Sequence, residues 1–288
     1  MEELKVLLAK VEAASTELST PVEVVPSDLA ALLKTEVHEK GLRWRLNCLN
    51  QAMGSLRKGD FGFIFKRPET GGTTFLASEV THMASQVDRP ILWFNNEERG
   101  AKVLLRCYQA ALGAHRDTLA KDADRHQAEY LRLTKGLIHI VDRPFISAKE
   151  CEGIIAKVEP SLIIYDQIDK IKGFKDDRAD IEYGRLYRWA REIAKAYAPS
   201  IGVCQASASA ENKEWLYMDD IAESKTSKAA EADWILGIGK KHDAGKSNLR
   251  YLHLAKNKLS GDLDTRPEMR HGMFTVIIKA EIAQFSDI

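Results

Sequence analysis

The sequence predicts an α/β fold, with a mostly parallel sheet flanked by helices and an antiparallel edge toward the C-terminus. Three observations carry this. Short apolar runs of strand length alternate with longer segments of helical spacing from residue 61 to residue 205. One run, Phe61-Gly62-Phe63-Ile64-Phe65, breaks into a glycine-containing turn, and helical spacing follows from Thr74. Another, Ser161-Leu162-Ile163-Ile164-Tyr165, ends in Asp166. Ligands of open α/β sheets lie at the C-terminal ends of the strands, so both strand ends are candidate site positions.

Composition bounds the answer without deciding it. The 288 residues suit one large domain with a small appendage, here residues 1–40 as a helical arm and 41–288 as the main domain. Forty-two basic and forty-two acidic side chains cancel, so any nucleic-acid binding has to come from local patches. No apolar run reaches the roughly 18 residues of a membrane span. The N-terminal MEELKVLLAKVEAA is amphipathic and does not read as a signal peptide, which sets the expectation of a cytoplasmic protein. Cys48, Cys107, Cys151 and Cys204 are scattered, without CxxC or zinc spacing, and are expected as reduced thiols.

In chain order, Leu4, Leu7, Leu8 and Val11 form a stripe on a first helix over 1–18, and Ser27 is a candidate cap for a second from Asp28 to about Glu36. Such an arm has too little apolar surface to fold alone. It packs either on its own domain or on a neighbouring subunit. Gly54 and Gly59-Asp60 end a helix and turn the chain into the strand at Phe61. The helix after the turn runs to about Gln86. Ile91–Phe94 is a second strand, followed by Asn95-Asn96-Glu97-Glu98. Helices are expected over Ala101–Leu112, within His115–Arg132, over Ala148–Glu159 with Ser147 as cap, and over Tyr183–Ala198. Leu137–Val141 and Ile201–Cys204 are further strands, the latter ending at Gln205. Ala206–Ser227 is a long polar loop of the kind that is usually functional or mobile. Trp234–Ile238 and Leu249–Ala255 read as paired strands, and Phe274–Lys279 as the last strand. Gly245-Lys246-Ser247, at the hairpin tip, imitates a phosphate-loop motif but follows no strand-and-glycine loop and precedes no helix.

Strand, glycine turn and helix at 61–75 are the context of a phosphate-binding loop, in which backbone N–H groups cradle phosphates. The loop is Lys66-Arg67-Pro68-Glu69-Thr70-Gly71-Gly72-Thr73-Thr74. Gly71 takes the second glycine position and Thr73 the Ser/Thr position, which ligates Mg²⁺. Gly72 stands where the lysine is expected. Asp166, at the end of its apolar strand, is positioned to hold Mg²⁺ with Thr73. Glu97 is placed to orient water and Gln205 to sense a γ-phosphate. Lys172 and Lys175, in the polar loop 170–178, and Lys225 and Lys228, at the end of the 206–227 loop, are candidate contacts to a phosphate backbone.

Taken together, these residues resemble the RecA-like ATPase domain of DnaB-type hexameric replicative helicases over about residues 41–282. Arg67-Pro68 with Gly71 and Thr73-Thr74-Phe75 is similar to that family's RP-x-x-GKT loop. Phe94-Asn95-Asn96-Glu97 falls on its FSLE segment, Ile163–Asp166 on its Walker B, and Gln205 on its Gln/His strand end. Asp220–Ser224 with Glu231–Ile235 is similar to DLRESG…DAD-x-I, which flanks a DNA-contacting loop. Lys256-Asn257-Lys258 falls on its KNR motif. The resemblance implies an ATP- and Mg²⁺-dependent helicase on single-stranded DNA in replication. It implies a homo-oligomer, a hexameric ring with ATP between subunits, where Lys256 and Lys258 complete a neighbour's site. Primase, polymerase or a loader protein are the implied partners, with no membrane. The size suggests a viral stand-alone motor acting in the host cytoplasm, its arm resembling the family's linker helix.

Three positions depart from the family. Gly72 replaces the loop lysine, Lys258 the finger arginine and Lys225 a loop glycine. Lys258 keeps the charge but not the bidentate fork. Gly72 leaves three explanations open: an engineered knock-out, a natural ATPase in which another lysine serves, with Lys66 nearest, or a relative that hydrolyses poorly or not at all. The alternative functions are a hydrolysis-deficient nucleotide- or DNA-binding ring or regulatory subunit, and a recombinase-like filament.

Overall fold

The computed structural model describes residues 27–38, 41–263 and 266–288. It divides into residues 1–40 and 41–288. In the first unit, helix α1 spans Leu29–His38. Its first turn is capped by Asp28 and not by Ser27: the Asp28 carboxylate accepts from the Ala30 N–H at 2.9 Å. The helix expected over 1–18 lies outside the described residues.

The second unit is built on a nine-stranded sheet of order β3-β2-β4-β5-β1-β6-β7-β8-β9. The strands are β1 (Phe61–Lys66), β2 (Ile91–Asn95), β3 (Ile138–Asp142), β4 (Leu162–Asp166), β5 (Ser200–Gln205), β6 (Trp234–Gly239), β7 (Leu249–Asn257), β8 (Met273–Lys279) and β9 (Gln284–Asp287). β3 through β6 are parallel, and β6 through β9 are antiparallel. The expected strands are present with ends shifted by a residue or two. β9 is an addition: Gln284-Phe285-Ser286-Asp287 is too short and polar to announce a strand. It holds its place because the Phe285 N–H donates to Ser78 Oγ at 3.0 Å.

The helices are α2 (Asn47–Met53), α3 (Gly72–Ala84), α4 (Gly100–Leu112), α5 (Arg116–Lys121), α6 (Ala123–Thr134), α7 (Ala148–Val158), α8 (Ala179–Ala196) and α9 (Lys225–Glu231). Ser147 caps α7 through a capping box with Glu150, as the sequence suggests. α2 has no cap from its own segment. The Asp287 carboxylate supplies it across the chain, accepting from the N–H groups of Asn47 at 2.7 Å and Cys48 at 3.1 Å.

Period-two alternation divides the core between the two faces of the sheet. Ile64, Trp93, Ile164 and Val203 pack with α3 and α4 on one face. Phe61, Phe63, Phe65 and Phe94 pack with α7 and α8 on the other. Each phenylalanine of β1 is fully buried, a contribution of about 1.5–3 kcal/mol apiece. Such two-sided burial explains why the strand reads as a nearly continuous apolar run. All four cysteines are free; three are buried and Cys48 is half-buried.

One core position is ionisable. Glu79 of α3 is 1 % exposed and accepts from the Arg45 N–H at 2.6 Å. Its other oxygen has no partner. Burial raises its carboxyl to about 7, against the hydrogen bond and charge of Arg45. A raised folded value makes its contribution greatest below its unfolded range, around 4.5, and removes it as pH climbs through 7. Glu79→Gln keeps an acceptor for Arg45 without the charge. It is expected to shrink the fall in thermal midpoint between about pH 5 and about pH 8. An unchanged fall would show that Glu79 is not the group responsible.

Candidate active site

Strand register gathers the expected site residues at one edge of the parallel sheet. Lys66, the last residue of β1, lies beside Gln205 of β5 and Ile238 of β6. Asn95 of β2 lies beside Asp166 of β4 and Asp142 of β3. All of these are strand C-terminal ends, where ligands of open sheets bind. The loop 67–71 then enters α3, whose first N–H groups have no helical partners and favour an anion.

The loop is held from several sides. Gly71 caps α3 at φ 99, a left-handed backbone that glycine adopts without strain. Buried Thr70 braces the turn, its hydroxyl donating to the Arg67 carbonyl at 2.7 Å. Arg250 of β7 is 6 % exposed and its Nε donates to the Thr70 carbonyl at 2.6 Å. Arg67 turns away from the loop, its Nε donating to Glu211 at 2.9 Å. Pro68 and Glu69 are exposed, whereas Thr73 and Thr74 are half-buried in the first turn of α3.

Position 72 is the most constrained point. A Cβ on Gly72 would lie 2.6 Å from Cε of Lys66, 3.1 Å from Cδ and 3.2 Å from Cγ. The Lys66 side chain is 5 % exposed, and its Nζ lies 3.8 Å from Glu97 Oε2. Lys66 therefore fills the space that a side chain at 72 would enter.

The acidic half of the site is built on β2 and β4. Asp142 fixes the 95–100 loop, accepting from Asn95 Nδ2 and from the Gly100 N–H, both at 2.8 Å. Glu98 is held by Arg106 of α4 and serves the fold. Glu97 is left facing a cleft lined by Asn96, Glu97, Arg99, Lys102 and Asp142. Gln167 Nε2 donates to Glu97 Oε2 at 2.8 Å, which sets the orientation of that carboxylate. Asp166 is 1 % exposed and neither carboxylate oxygen has a partner. Burial, then the charge of Glu97, raise it to about 7, against the pull of Lys66. Gln205 Oε1 is likewise buried without a partner. Mg²⁺ takes one or two carboxylates together with phosphate oxygens and water. The unpartnered Asp166 oxygens and the Thr73 hydroxyl suit that donor set.

The candidate nucleic-acid lysines divide. Lys172 and Lys175 are exposed. Lys225 is exposed and paired with Asp219 at 2.7 Å. Lys228 is a correction. It is fully buried, its Nζ donating to Asp169 at 2.8 Å and to the Ala222 carbonyl at 3.0 Å, and lying 4.2 Å from the centre of the Tyr183 ring. It neutralises a buried carboxylate and does not face solvent. Nor is the 206–227 segment without fixed structure. Ala206 bridges Ile221, and buried Asp220 accepts from Lys213, Ser209 and the Tyr217 N–H.

Lys256 and Lys258 sit elsewhere. Asn257 pairs with Trp234, at the N-terminal end of β6. That is the opposite edge of the sheet from Lys66. Lys256 donates to the Ala229 carbonyl, and Lys258 is exposed. The fold does not bring either to its own chain's site. Three supporting residues escaped the sequence: Arg250, Gln167 and Asp233. Asp233 pairs with Arg191 of α8 at 2.7 Å and accepts from the N–H of Phe61, anchoring the start of β1. Gln167 adjoins Asp166 and was within reach of a motif argument. Arg250 and Asp233 carry no local signal.

No protein-family model matches the sequence, and no curated protein matches it significantly. Solved structures do match. The ATPase domain of one DnaB-like replicative helicase aligns with a TM-score of 0.67 and 16% identity over 99% of this chain and 98% of its own. A second DnaB-like replicative helicase, solved in a study of its interactions with primase, aligns at 0.75 and 16% over 96% of this chain and 71% of its own. The fold is that of a DnaB-type ATPase domain. In the DnaB-type fold of this chain, the loop 66–74, Glu97, Asp166 and Gln205 stand on one sheet edge in the order the sequence motifs imply. Among the described residues, no helix is long and apolar enough to cross a membrane.

Proposed function

We propose that this chain is a Mg²⁺- and ATP-dependent motor acting on single-stranded DNA in replication, with ATP bound between subunits of a hexameric ring. The observation that carries the reading is Asp166. A carboxylate buried at a strand end, with both oxygens unpartnered and a phosphate-loop turn beside it, is costly unless a cation and phosphates complete it. The loop 66–74 would receive the phosphates, and Thr73 with Asp166 would hold the metal. Mg²⁺ there would bridge phosphate oxygens and offset the charge developing during transfer. Glu97, oriented by Gln167, would position the attacking water, and Gln205 would sense the γ-phosphate. Lys256 and Lys258, on the far edge, would reach a neighbouring subunit's nucleotide. Lys172, Lys175 and Lys225 would hold the DNA through backbone phosphates, without sequence preference. Primase, a polymerase or a loader would be the protein partners. The structural neighbour studied with primase supports the first of these.

The second reading is a ring that binds nucleotide or DNA without turnover, or a regulatory subunit. Gly72 favours it, since the expected loop lysine is missing. Hydrolysis measured with and without single-stranded DNA separates the two. The motor predicts ATP turnover stimulated by DNA. Binding of nucleotide and DNA with no turnover of any nucleoside triphosphate would sink the motor and support the second reading.

A further inference from the structure

We propose that Lys66 supplies the phosphate-binding ammonium that position 72 lacks, and that residue 72 is glycine because the Lys66 side chain occupies its Cβ space. This rests on the reading of the loop as a nucleotide site.

Three independent features support the assignment. First, the contact is steric. With Lys66 Cε 2.6 Å from where a Cβ on residue 72 would stand, the two positions cannot both carry long side chains without one moving. The glycine is then fitted to Lys66, and the close contact accounts for it without a disabled loop. Second, the ammonium is poorly served by the protein. It is 5 % exposed, and its acidic neighbour, Glu97, is 3.8 Å away, beyond hydrogen-bond distance. An ammonium has three donors, and burying it without close acceptors is costly. Phosphate oxygens at the head of α3 would be such acceptors. Third, the placement is right. Lys66 ends β1 one residue before the loop, beside Gln205 in register. Its side chain runs across the first residue of α3 and ends near Glu97. The charge thus lies between the anion-favouring helix start and the carboxylate expected to orient water.

A plainer role would be that of a structural counter-ion for Asp166 and Glu97. The two roles separate by experiment. The measurement is the equilibrium affinity of Mg²⁺ with a fluorescent, non-hydrolysable ATP analogue. It is made on the native chain, Lys66→Met, Lys66→Arg, Gly72→Lys and the transplant Lys66→Ala/Gly72→Lys. Thermal unfolding without nucleotide checks that each variant folds.

Lys66→Met is expected to weaken triphosphate binding about ten- to a hundredfold, the loss expected for charge-assisted hydrogen bonds, and Lys66→Arg less than that. Gly72→Lys alone is expected to bind worse than the native chain, because two lysines then contend for one space. The transplant is expected to recover affinity over both Lys66→Met and Gly72→Lys. A counter-ion role would lower the unfolding midpoint of Lys66→Met and leave its triphosphate affinity unchanged, which overturns the assignment. So would a Gly72→Lys chain that binds more tightly than the native one with Lys66 in place. A native chain that binds no nucleotide at all would overturn the site reading and this assignment with it.

Discussion

Asp166→Asn is expected to reduce ATP hydrolysis by at least about a hundredfold and, in the same protein, to raise the thermal midpoint of the nucleotide-free chain at about pH 8. Both effects come from one geometry. The carboxylate is 1 % exposed, both oxygens lack partners, and burial with Glu97 has moved it to about 7. At pH 8 the folded chain holds an ionised carboxylate that water would solvate better. An amide of the same shape carries no charge and can donate toward Glu97. Each kcal/mol relieved is worth roughly 2–4 °C in a domain of this size. The amide is also a poor ligand for a hard cation, so hydrolysis is lost. Such a gain of stability with loss of function is what a site built for a bound cation should show. Hydrolysis and thermal scans on the two proteins test it. A midpoint that falls while turnover persists would show that Asp166 is structural.

Lys228→Ala is the change expected to damage the fold most. Removing the ammonium leaves Asp169 buried, beside the Tyr187 hydroxyl that donates to it at 3.0 Å, with its counter-charge gone. Breaking a buried pair from one side costs about 3–5 kcal/mol. Chemical denaturation should show that loss. Lys172→Ala and Lys175→Ala, both on the surface, should stay within about 0.5 kcal/mol of the native chain. These two should instead weaken single-stranded DNA binding and reduce its salt dependence, as lost phosphate contacts do. If Lys228→Ala kept full stability and lost only DNA affinity, the buried pair would not describe the DNA-binding protein.

Much of the candidate site was legible along the chain because it sits on strand ends. A buried strand announces itself as an apolar run, and the residue that stops the run stands at the sheet edge. That logic located Lys66, Asp166 and Gln205, and the glycines at 71 and 72 marked the loop. It failed at Lys228. On paper that residue ends a polar, lysine-bearing segment; in the fold it reaches inward to Asp169, 59 positions earlier in the chain. It also missed β9, which depends on Ser78 and not on its own composition.

The sequence by itself determined the α/β class, the parallel-to-antiparallel order of the strands and the turn at 67–73. These follow from local periodicity and from glycine's conformational freedom, and they need no knowledge of what lies nearby. Only the tertiary structure decided how charge is distributed within that frame. It laid Lys66 across Gly72, set Arg250 against the Thr70 carbonyl from 180 positions away, and brought Asp287 to the head of α2. It also left Asp166 without a partner. The physical reason is that desolvation and hydrogen bonding act over a few ångströms, between groups whose proximity is settled by packing and not by sequence separation.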